Sequence, residues 1–312
     1  MNTERSLELL QVGCGEWGKL VLRDLVALGA RVTTVTGSDR GREHSNRYGA
    51  TGIFTSLHQA ASRSYDGIVV VTPITTHFDV IMECHRAFPG VPIFCEKELV
   101  CTVAQALTLQ AMLGDHLFVM HKWRYHNGIL KLKELLQQGT YGSLRSAKLY
   151  RLGWGSSQKD VDAIVTAIPH DLSILLELFG EVRTNFRSVT ESHSGWVYAQ
   201  TLVSPGAPSI IIDVSSHSPR THRGVELYFE RAVAVLSDSY DHEISVYVYG
   251  DPQDKTPPLP ISVPFTPNMP LETELHHFLR YLRGDAPSPK SSVDDSIQII
   301  RALEAIRGYQ DT

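Results

Sequence analysis

The chain has 312 residues, of which 42% are hydrophobic and 20% are charged, and its formal net charge is −5. This balance is typical of a soluble globular protein, and the length suits two domains. A net negative chain without a cluster of Lys and Arg does not favour nucleic acid as a partner. No stretch reaches the roughly 18 apolar residues that cross a bilayer, and MNTERSLELL has no signal-peptide pattern, so we expect a cytoplasmic protein. The four cysteines lack metal-type spacing and predict free thiols rather than a metal site.

Strand patterns alternate with helix patterns over the first 122 residues. The strands are predicted at LELLQV, RVTTVTG, TGIFTS, YDGIVVVTP, VPIFCEK and HLFVMHKWRY. The helices are predicted at GKLVLRDLVALGA, DRGREHSNRYGA, HFDVIMECHRAF and TVAQALTLQAMLG. Strands that alternate with helices pair in parallel through right-handed crossovers. Residues 1–122 are therefore predicted to form a dinucleotide-binding domain of the Rossmann type, with a doubly wound parallel sheet.

The pattern changes after residue 122. A helix (NGILKLKELLQQG), a strand (SLRSAKLYRLGW) and a second helix (VTAIPHDLSILLELFG) come first. Six strand patterns then follow with short turns: VRTNFRSVT, GWVYAQTLVS, PSIIIDVSS, RGVELYFER, AVAVLSD and EISVYVYG. Consecutive strands without intervening helices indicate an antiparallel sheet. A Pro-rich connection and two helices close the chain, so residues 123–312 are predicted to be an α+β substrate domain whose last helices can pack back on the first domain.

A glycine pattern lies between the first strand and the first helix. Gly13, Gly15 and Gly18 make G-x-G-x-x-G, in which the glycines permit a tight turn, the approach of a pyrophosphate and close packing of helix on strand. Glu16 and Trp17 complete the turn. We expect these five residues to bind a dinucleotide at the N-terminus of the helix, where free N–H groups and the helix dipole attract phosphate.

The end of the second strand carries the signal for cofactor choice. Thr36 stands where a carboxylate would bind the adenosine ribose of NAD. Ser38 and Arg40 follow, and a hydroxyl and a guanidinium suit the 2′-phosphate of NADP. The pattern favours NADP(H). NAD(H) stays open because Asp39 could serve the ribose, and Arg40 could instead be a solvated surface charge.

Further segments point to a known family. VVVTPITTHFDV, FCEKELV, WRYHNGILKLKELLQQGTYGSL, HDLSILLELFG and the C-terminal helices occur in the order and spacing of the Gfo/Idh/MocA oxidoreductases, and the chain resembles that family nearly from end to end. The family includes glucose–fructose oxidoreductase and inositol dehydrogenase. The resemblance implies a second domain with an open, mostly antiparallel sheet, whose outer face commonly joins subunits into a homodimer or homotetramer. It also implies hydride transfer between a nicotinamide and a carbinol or carbonyl carbon of a sugar, cyclitol or related polyol.

The resemblance assigns residues beside the nicotinamide. Thr72, Pro73 and His77 match the family's T-P-x-x-x-H segment, and Glu96 and Lys97 match the first two positions of its E-K-P motif. These five residues are expected to bind the cofactor.

Hydride transfer at a carbon that bears oxygen needs a group that exchanges a proton with that oxygen. Lys97 ends a predicted parallel strand, where ligands meet such sheets, and it is the expected acid/base group. His170 matches the histidine of the family's D-x-x-x-H segment and is predicted at a helix start after Pro169. It could relay the proton, or it could cap the helix or pack in the core. Glu98 replaces the proline of E-K-P, so the loop could differ or an extra carboxylate could face the pocket.

The family's aspartate is replaced by Thr166, which can bond a substrate hydroxyl but cannot act as a carboxylate base. Either the two acid/base groups suffice, or Asp160, Asp162 or Glu98 substitutes, or the substrate class has shifted. Reduction of an imine or a conjugated pigment, and a non-catalytic dinucleotide-binding regulator, are the alternative functions.

Three more residues are expected to line the substrate site. Arg124 matches the family's segment that leads out of the first domain, and it is predicted near the cleft, although it could simply pair with a carboxylate at the domain junction. Tyr150 and Trp154 lie on the first strand of the second domain, beside Arg151. Aromatic rings suit sugar faces, but on strands they also serve as core residues.

Overall fold

The structure is a computed structural model that describes residues 5–155, 163–193, 196–251, 253, 256 and 258–308. The helices are α1 (Gly18–Ala27), α2 (Asp39–Arg47), α3 (Leu57–Ala60), α4 (His77–Ala87), α5 (Val103–Leu113), α6 (Asn127–Gln138), α7 (Ala163–Phe179), α8 (Pro270–Arg283) and α9 (Val293–Gly308). The strands up to the end of the first sheet are β1 (Glu8–Val12), β2 (Arg31–Val35), β3 (Gly52–Phe54), β4 (Gly67–Val70), β5 (Ile93–Glu96) and β6 (Leu117–Met120). Those after it are β7 (Leu144–Trp154), β8 (Arg187–His193), β9 (Trp196–Ser204), β10 (Ser209–Ser215), β11 (His217–Phe229), β12 (Ala232–Leu236), β13 (Glu243–Val248) and β14 (Ile261–Pro264).

The chain divides into two compact units. Unit 1 comprises Met1–Lys122 and Met269–Ile300, and unit 2 comprises Trp123–Asn268 and Arg301–Thr312. The division places α8 and most of α9 with the first sheet. Among the described residues, no helix combines the length and the apolar character that crossing a bilayer requires.

Unit 1 is built on a parallel sheet with the strand order β3-β2-β1-β4-β5-β6. Its strands are nearly continuous apolar runs because helices cover both faces. Val69 faces a cluster with α1 and α8, in which the rings of Phe94 and Phe278 lie 4.8 Å apart. Its neighbours Ile68 and Val70 face a second cluster with α4, α5 and α9. The predicted doubly wound sheet is confirmed. The four-residue helix α3 was not predicted, because a single helical turn carries no periodic pattern.

Unit 2 is built on an eight-stranded sheet with the order β14-β13-β12-β11-β7-β10-β9-β8. All neighbouring pairs in it are antiparallel except β7 and β10, which are parallel. The predicted mostly antiparallel sheet is therefore confirmed. Strand β14 lies inside the stretch predicted as a Pro-rich connection, and β11 starts six residues earlier than its pattern, at His217 rather than Arg223. Both differences arise because pairing with a neighbouring strand extends structure through weak local patterns.

Alternation of side chains gives this sheet two different faces. Ala147 and Leu149 of β7 are buried, in register with Ile210 and Ile212 of β10, and α6 and α7 contact the same sheet. Residues of the other parity point to the opposite face, which is more exposed. On β7, the odd-numbered residues therefore share the face of Ala147 and Leu149, on the side of α7, and the even-numbered residues lie on the opposite face.

Candidate active site

The three glycines have distinct surroundings in the turn between β1 and α1. Gly13 has φ +97°, its N–H donates to the Val35 carbonyl at 2.9 Å, and a Cβ there would lie 2.5 Å from the Val71 carbonyl oxygen. A Cβ on Gly18 would lie 3.0 Å from the Gly13 carbonyl oxygen, whereas one on Gly15 would meet no atom within 4 Å. Gly13 and Gly18 thus allow the tight turn and the close packing, and Gly15 leaves its backbone open to a ligand.

A buried glutamine holds this turn in place. The Gln11 amide nitrogen donates to the carbonyl oxygens of Gly13 at 2.8 Å and of Gly18 at 2.9 Å. The sequence signal was a single amide inside the apolar strand LELLQV, and our sequence reasoning missed it. Trp17 is the N-cap residue of α1, and the Lys122 ammonium lies 4.7 Å from the centre of its indole ring, which is the geometry of a cation–π contact.

The residues expected at a 2′-phosphate already have protein partners. The Ser38 hydroxyl accepts from the Gly41 N–H at 3.0 Å and so caps α2. The Arg40 guanidinium lies 2.5 Å from the Glu16 carboxylate, which also accepts from the Lys19 ammonium at 2.5 Å. The hydrogen bond from Lys19 is the main reason that the pKa of Glu16 lies below its ordinary value. Glu16 and Arg40 are both exposed, so a dianion could compete for the guanidinium.

In the described part of the chain, no acidic side chain makes a contact with the residues at the end of β2. Thr36 is buried, and Asp39 is exposed and pairs with Arg42, which also donates to the Gly37 carbonyl at 3.2 Å. The carboxylate nearest in sequence therefore points to solvent with its own cationic partner.

His77 connects the loops that follow β4 and β5. Its ring is fully buried, with Nδ1 at 2.8 Å from the Glu98 carbonyl oxygen and Nε2 at 2.8 Å from the Thr72 carbonyl oxygen. Burial lowers the pKa of His77. The Thr76 hydroxyl closes the Thr72 loop by donating to the Pro73 carbonyl at 2.7 Å. His77 thus acts on the backbone of two loops rather than presenting its ring to a ligand.

Three charged residues follow one another at the end of β5. Lys97 is 9% exposed and its peptide bond to Glu98 is cis. Burial raises the pKa of Glu96 to about 7, against the opposing charges of Lys97 and Lys122. Burial also raises the pKa of Glu98 to about 7, which Lys97 opposes and Glu96 reinforces. Two carboxyl groups beside one ammonium thus change charge near neutral pH.

In unit 2, His170 and Thr166 both lie on α7. Their spacing of four residues puts them on the same face of the helix, one turn apart. The His170 ring meets the Trp123 ring edge-on, with centroids 6.4 Å apart. The prediction of a helix start after Pro169 is wrong, because α7 begins at Ala163 and continues through the proline. Burial of Ile168 and Leu172 stabilises the helix on both sides of the lost backbone hydrogen bond.

The residue after His170 forms a buried ion pair with two hydrogen bonds. Asp171 is 1% exposed and accepts two hydrogen bonds from Arg151 of β7, both at 2.9 Å. Burial raises the pKa of Asp171, and the Arg151 charge opposes that rise. The Arg151 guanidinium also lies 5.0 Å from the centre of the Trp123 ring. Asp171 was absent from the sequence-based candidates. A signal was nevertheless present in the sequence. Arg151 alternates with the apolar face of β7 that includes Ala147 and Leu149, so it requires an acidic partner such as Asp171 on that side of the sheet.

Arg124 is tied to the same helix. Its Nε donates to Glu177 of α7 at 3.2 Å, and Lys133 donates to the other oxygen of Glu177 at 2.8 Å. Two cations from the start of unit 2 thus share one buried carboxylate.

Tyr150 and Trp154 lie on the other face of the sheet. Their parity is opposite to that of Arg151, and they pack against His222 at 5.0 Å and His217 at 5.4 Å between ring centroids. Trp154 is 75% exposed. Of the four residues expected to bind substrate, Thr166 lies on α7 and Arg124 contacts that helix through Glu177. The other two, Tyr150 and Trp154, lie on the face of the sheet opposite to α7. Asp160 and Asp162 lie outside the described residues.

Comparisons with known proteins identify relatives of the chain. The profile of the family described as "Oxidoreductase family, NAD-binding Rossmann fold" matches residues 7–120. Inositol 2-dehydrogenase of Mycolicibacterium gilvum is 27% identical over 196 residues, which are 60% of this chain and 53% of that protein. Inositol 2-dehydrogenase 2 of Mycolicibacterium vanbaalenii is 27% identical over 66% of this chain and 60% of that protein. The chain therefore spans between half and two thirds of these two relatives.

Solved structures share the fold over nearly the whole chain. UDP-N-acetylglucosamine 3-dehydrogenase from Acidithiobacillus ferrooxidans is 20% identical with a TM-score of 0.81, and 98% of each chain is covered. Levoglucosan dehydrogenase in complex with NADH and levoglucosan is 15% identical with a TM-score of 0.81, again over 98% of each chain. Both likenesses concern the fold, and they agree with the two sheets described above.

Proposed function

We propose that the chain belongs to the Gfo/Idh/MocA family of oxidoreductases, whose profile matches residues 7–120, and that it transfers a hydride between a nicotinamide dinucleotide and a carbinol or carbonyl carbon of a sugar, cyclitol or related small molecule. The glycine turn is the observation that carries this proposal, because Gly15 offers open backbone at the N-terminus of α1. The proposed substrate class follows the relatives named inositol 2-dehydrogenase, and it agrees with the similar fold of levoglucosan dehydrogenase.

The residues present in unit 1 fit a dinucleotide. Gly13, Gly15 and Gly18, with the N–H groups of Glu16 and Trp17, would hold the pyrophosphate. Ser38 and Arg40 would hold the 2′-phosphate of NADP(H), our favoured cofactor, after Arg40 exchanges Glu16 for the phosphate. NAD(H) is the competing cofactor, since the Asp39 carboxylate follows the same strand end. Thr72, Pro73 and Glu96 would lie beside the nicotinamide half of the cofactor, and His77 would fix the loops that carry them.

Lys97 is the proposed acid/base group. The bound nicotinamide supplies the position that accepts or donates the hydride. In alcohol oxidation, neutral Lys97 takes the hydroxyl proton as the carbonyl forms, and in reduction its ammonium returns the proton to the developing alkoxide. Both directions use the same two forms of the side chain.

His170 is proposed as a second proton carrier in unit 2, with Thr166 as a hydrogen-bonding partner for a substrate hydroxyl. Arg124 is proposed as a positioning residue, because Glu177 holds its guanidinium. The contacts of Tyr150 and Trp154 give them no part in this mechanism.

Thr166 also supports two further candidate functions. A regulator that binds the dinucleotide without turnover has no use for a carboxylate at this position, and reduction of an imine or a conjugated pigment requires a proton donor more than a carboxylate base. The absorbance of the reduced cofactor, followed in the presence of myo-inositol, levoglucosan, simple sugars and their carbonyl forms, distinguishes the dehydrogenase from the regulator. Consumption or formation of the reduced cofactor with any of these substrates supports the dehydrogenase and excludes the regulator.

Replacing Arg40 with alanine is expected to weaken NADPH binding by roughly 10- to 100-fold, the value of a charge-assisted phosphate contact. NADH binding is expected to stay within about 2-fold, because NADH carries no 2′-phosphate. Titration of nicotinamide fluorescence measures both affinities. Arg42→Ala is the matched control, since Arg42 lies on the same helix but pairs with Asp39. If Arg40→Ala weakens the binding of NADPH and NADH equally, the guanidinium does not bind the 2′-phosphate.

A further inference from the structure

Two arginines lie side by side on the sheet of unit 2. Arg151 of β7 and Arg223 of β11 are directly opposite each other in an antiparallel pair, so their side chains share one face of the sheet. The next pair on that face, Leu149 with Val225, is buried. Like charges that face each other on neighbouring strands repel and lower stability. A pair of arginines at this position therefore requires a nearby anion.

Asp171 supplies only part of the negative charge that the two arginines require. Both of its carboxylate oxygens accept hydrogen bonds from Arg151, each at 2.9 Å. Burial raises the pKa of Asp171, and the charges of Arg151 and, more weakly, Arg223 oppose that rise. One carboxylate beside two guanidinium groups leaves a net positive charge at this end of the two strands.

The Arg223 guanidinium is open to solvent. Arg223 is exposed, and it forms no hydrogen bond or ion pair with the residues that the structure describes. Helix α7 packs mainly on β9 and β10, whereas β11 lies on the other side of β7. Arg223 therefore lies next to α7 rather than beneath it, and a ligand can reach the N–H donors of its guanidinium.

The two arginines lie near the residues of unit 2 that are proposed to act on the substrate. The Arg151 guanidinium is 5.0 Å from the centre of the Trp123 ring, and the His170 ring meets the same ring edge-on at 6.4 Å. Asp171, which holds Arg151, directly follows His170 on α7. An anion bound by Arg223 would therefore lie on the same side of the sheet as His170.

We propose that Arg223 binds an acidic group of the substrate, a carboxylate or a phosphate, and that the substrate is an acidic sugar or cyclitol derivative rather than a neutral polyol. The inference rests on the proposed function, whose substrate class it narrows. A guanidinium binds either group through two parallel hydrogen bonds. The bound anion also offsets the repulsion between Arg223 and Arg151, which Asp171 keeps in place.

Binding of three sugars to the whole protein tests this contact without turnover. Calorimetric titration with D-glucuronate, D-glucose 6-phosphate and D-glucose is expected to show that one acidic sugar binds roughly 10-fold or more tightly than D-glucose. The acidic sugar that is preferred distinguishes a carboxylate from a phosphate. In Arg223→Ala, the affinity for that sugar is expected to fall roughly 10- to 100-fold, the effect of losing a hydrogen bond between charged groups. The affinity for D-glucose is expected to stay within about 2-fold, because D-glucose has no acidic group.

Two further variants and a stability measurement serve as controls. Arg223→Lys keeps the charge without the paired donors, and its affinity is expected to lie between the other two. Arg145→Ala removes an exposed arginine of β7 that pairs with Glu230, and it is expected to bind the sugars as the unsubstituted protein does. Thermal unfolding of Arg223→Ala is expected at a temperature no lower than that of the unsubstituted protein, because the variant removes the repulsion from Arg151.

The outcomes separate the inference from the proposed function. Binding of an acidic sugar that depends on Arg223, without any change in the absorbance of the cofactor, would support the anion site and count against the dehydrogenase. Equal binding of the acidic sugars by Arg223→Ala and the unsubstituted protein, or no binding of either acidic sugar, would overturn the anion site. Turnover of neutral polyols with kcat/KM equal to that of their acidic counterparts would also overturn it and would leave the dehydrogenase standing.

Discussion

Lys97→Ala is expected to lower turnover by about 10²–10⁴-fold, the range for the loss of a general acid/base group. Lys97 is 9% exposed and directly follows β5, and the carboxyl groups of its two neighbours in sequence, Glu96 and Glu98, have pKa values of about 7. Removing Lys97 takes away both the proton acceptor for alcohol oxidation and the cation that stabilises a developing alkoxide. Cofactor affinity is expected to change little, because the phosphates are proposed to bind at the turn after β1.

The measurement is kcat and KM with the best substrate of the panel, together with cofactor affinity from nicotinamide fluorescence. Lys97→Arg separates charge from proton transfer, because a guanidinium keeps the charge but does not give up its proton. It is expected to lose nearly as much turnover as alanine. Lys131→Ala removes a lysine that pairs with Glu134 on α6, and it is expected to match the unsubstituted protein. Full turnover in Lys97→Ala would exclude Lys97 from the acid/base role.

The first sheet could be predicted almost completely from the sequence. The parallel strands are short, mainly apolar runs that end at a glycine, proline or polar residue, and the helices α1, α4 and α5 between them have apolar faces. Gly13 was predictable for the same local reason, since the turn requires a positive φ. The role of Gln11 was not, because a glutamine in a strand does not reveal which carbonyl oxygens it reaches across the turn.

The cofactor signal at the end of β2 illustrates a different limit. The sequence offers Ser38 and Arg40 as free ligands for a phosphate. In the fold, the Ser38 hydroxyl caps α2 and Arg40 contacts Glu16. Capping could be anticipated from the position of a serine before a helix, but the Glu16 contact joins residues on two elements. Such pairings depend on the fold, and local patterns do not encode them.

The residues around α7 were the least predictable part of the candidate site. Pro169 indicated a helix start, yet packing on both sides carries the helix through it. Tyr150 and Trp154 were chosen for their chemistry, whereas the parity of β7 selects Arg151. A one-residue difference along a strand reverses the face that a side chain occupies, so residue type alone could not identify the side chains near α7.

Asp171→Ala is expected to lower the free energy of unfolding by about 3–5 kcal/mol, the cost of breaking a buried ion pair by removing one partner. Arg151 would keep its charge with a side chain only 13% exposed and would lose both of its hydrogen bonds to the carboxylate. Urea unfolding followed by tryptophan fluorescence measures the change, since Trp123 lies beside Arg151. Asp213→Ala is the matched control, because Asp213 lies on the opposite face of the same sheet and accepts a hydrogen bond from Thr201.

The double variant Arg151→Met with Asp171→Leu tests why the single change is costly. Burial raises the pKa of Asp171 despite the adjacent guanidinium, so desolvation of the carboxylate outweighs the attraction of its partner. The pair then contributes little net stability, and the double variant is expected to regain most of what the single one loses. Because Asp171 adjoins His170 in sequence, the pair would instead serve to orient α7 under Trp123. If the double variant is as unstable as Asp171→Ala, the ion pair itself stabilises the fold. Its main role is then stability, and the orientation of α7 near His170 follows from it.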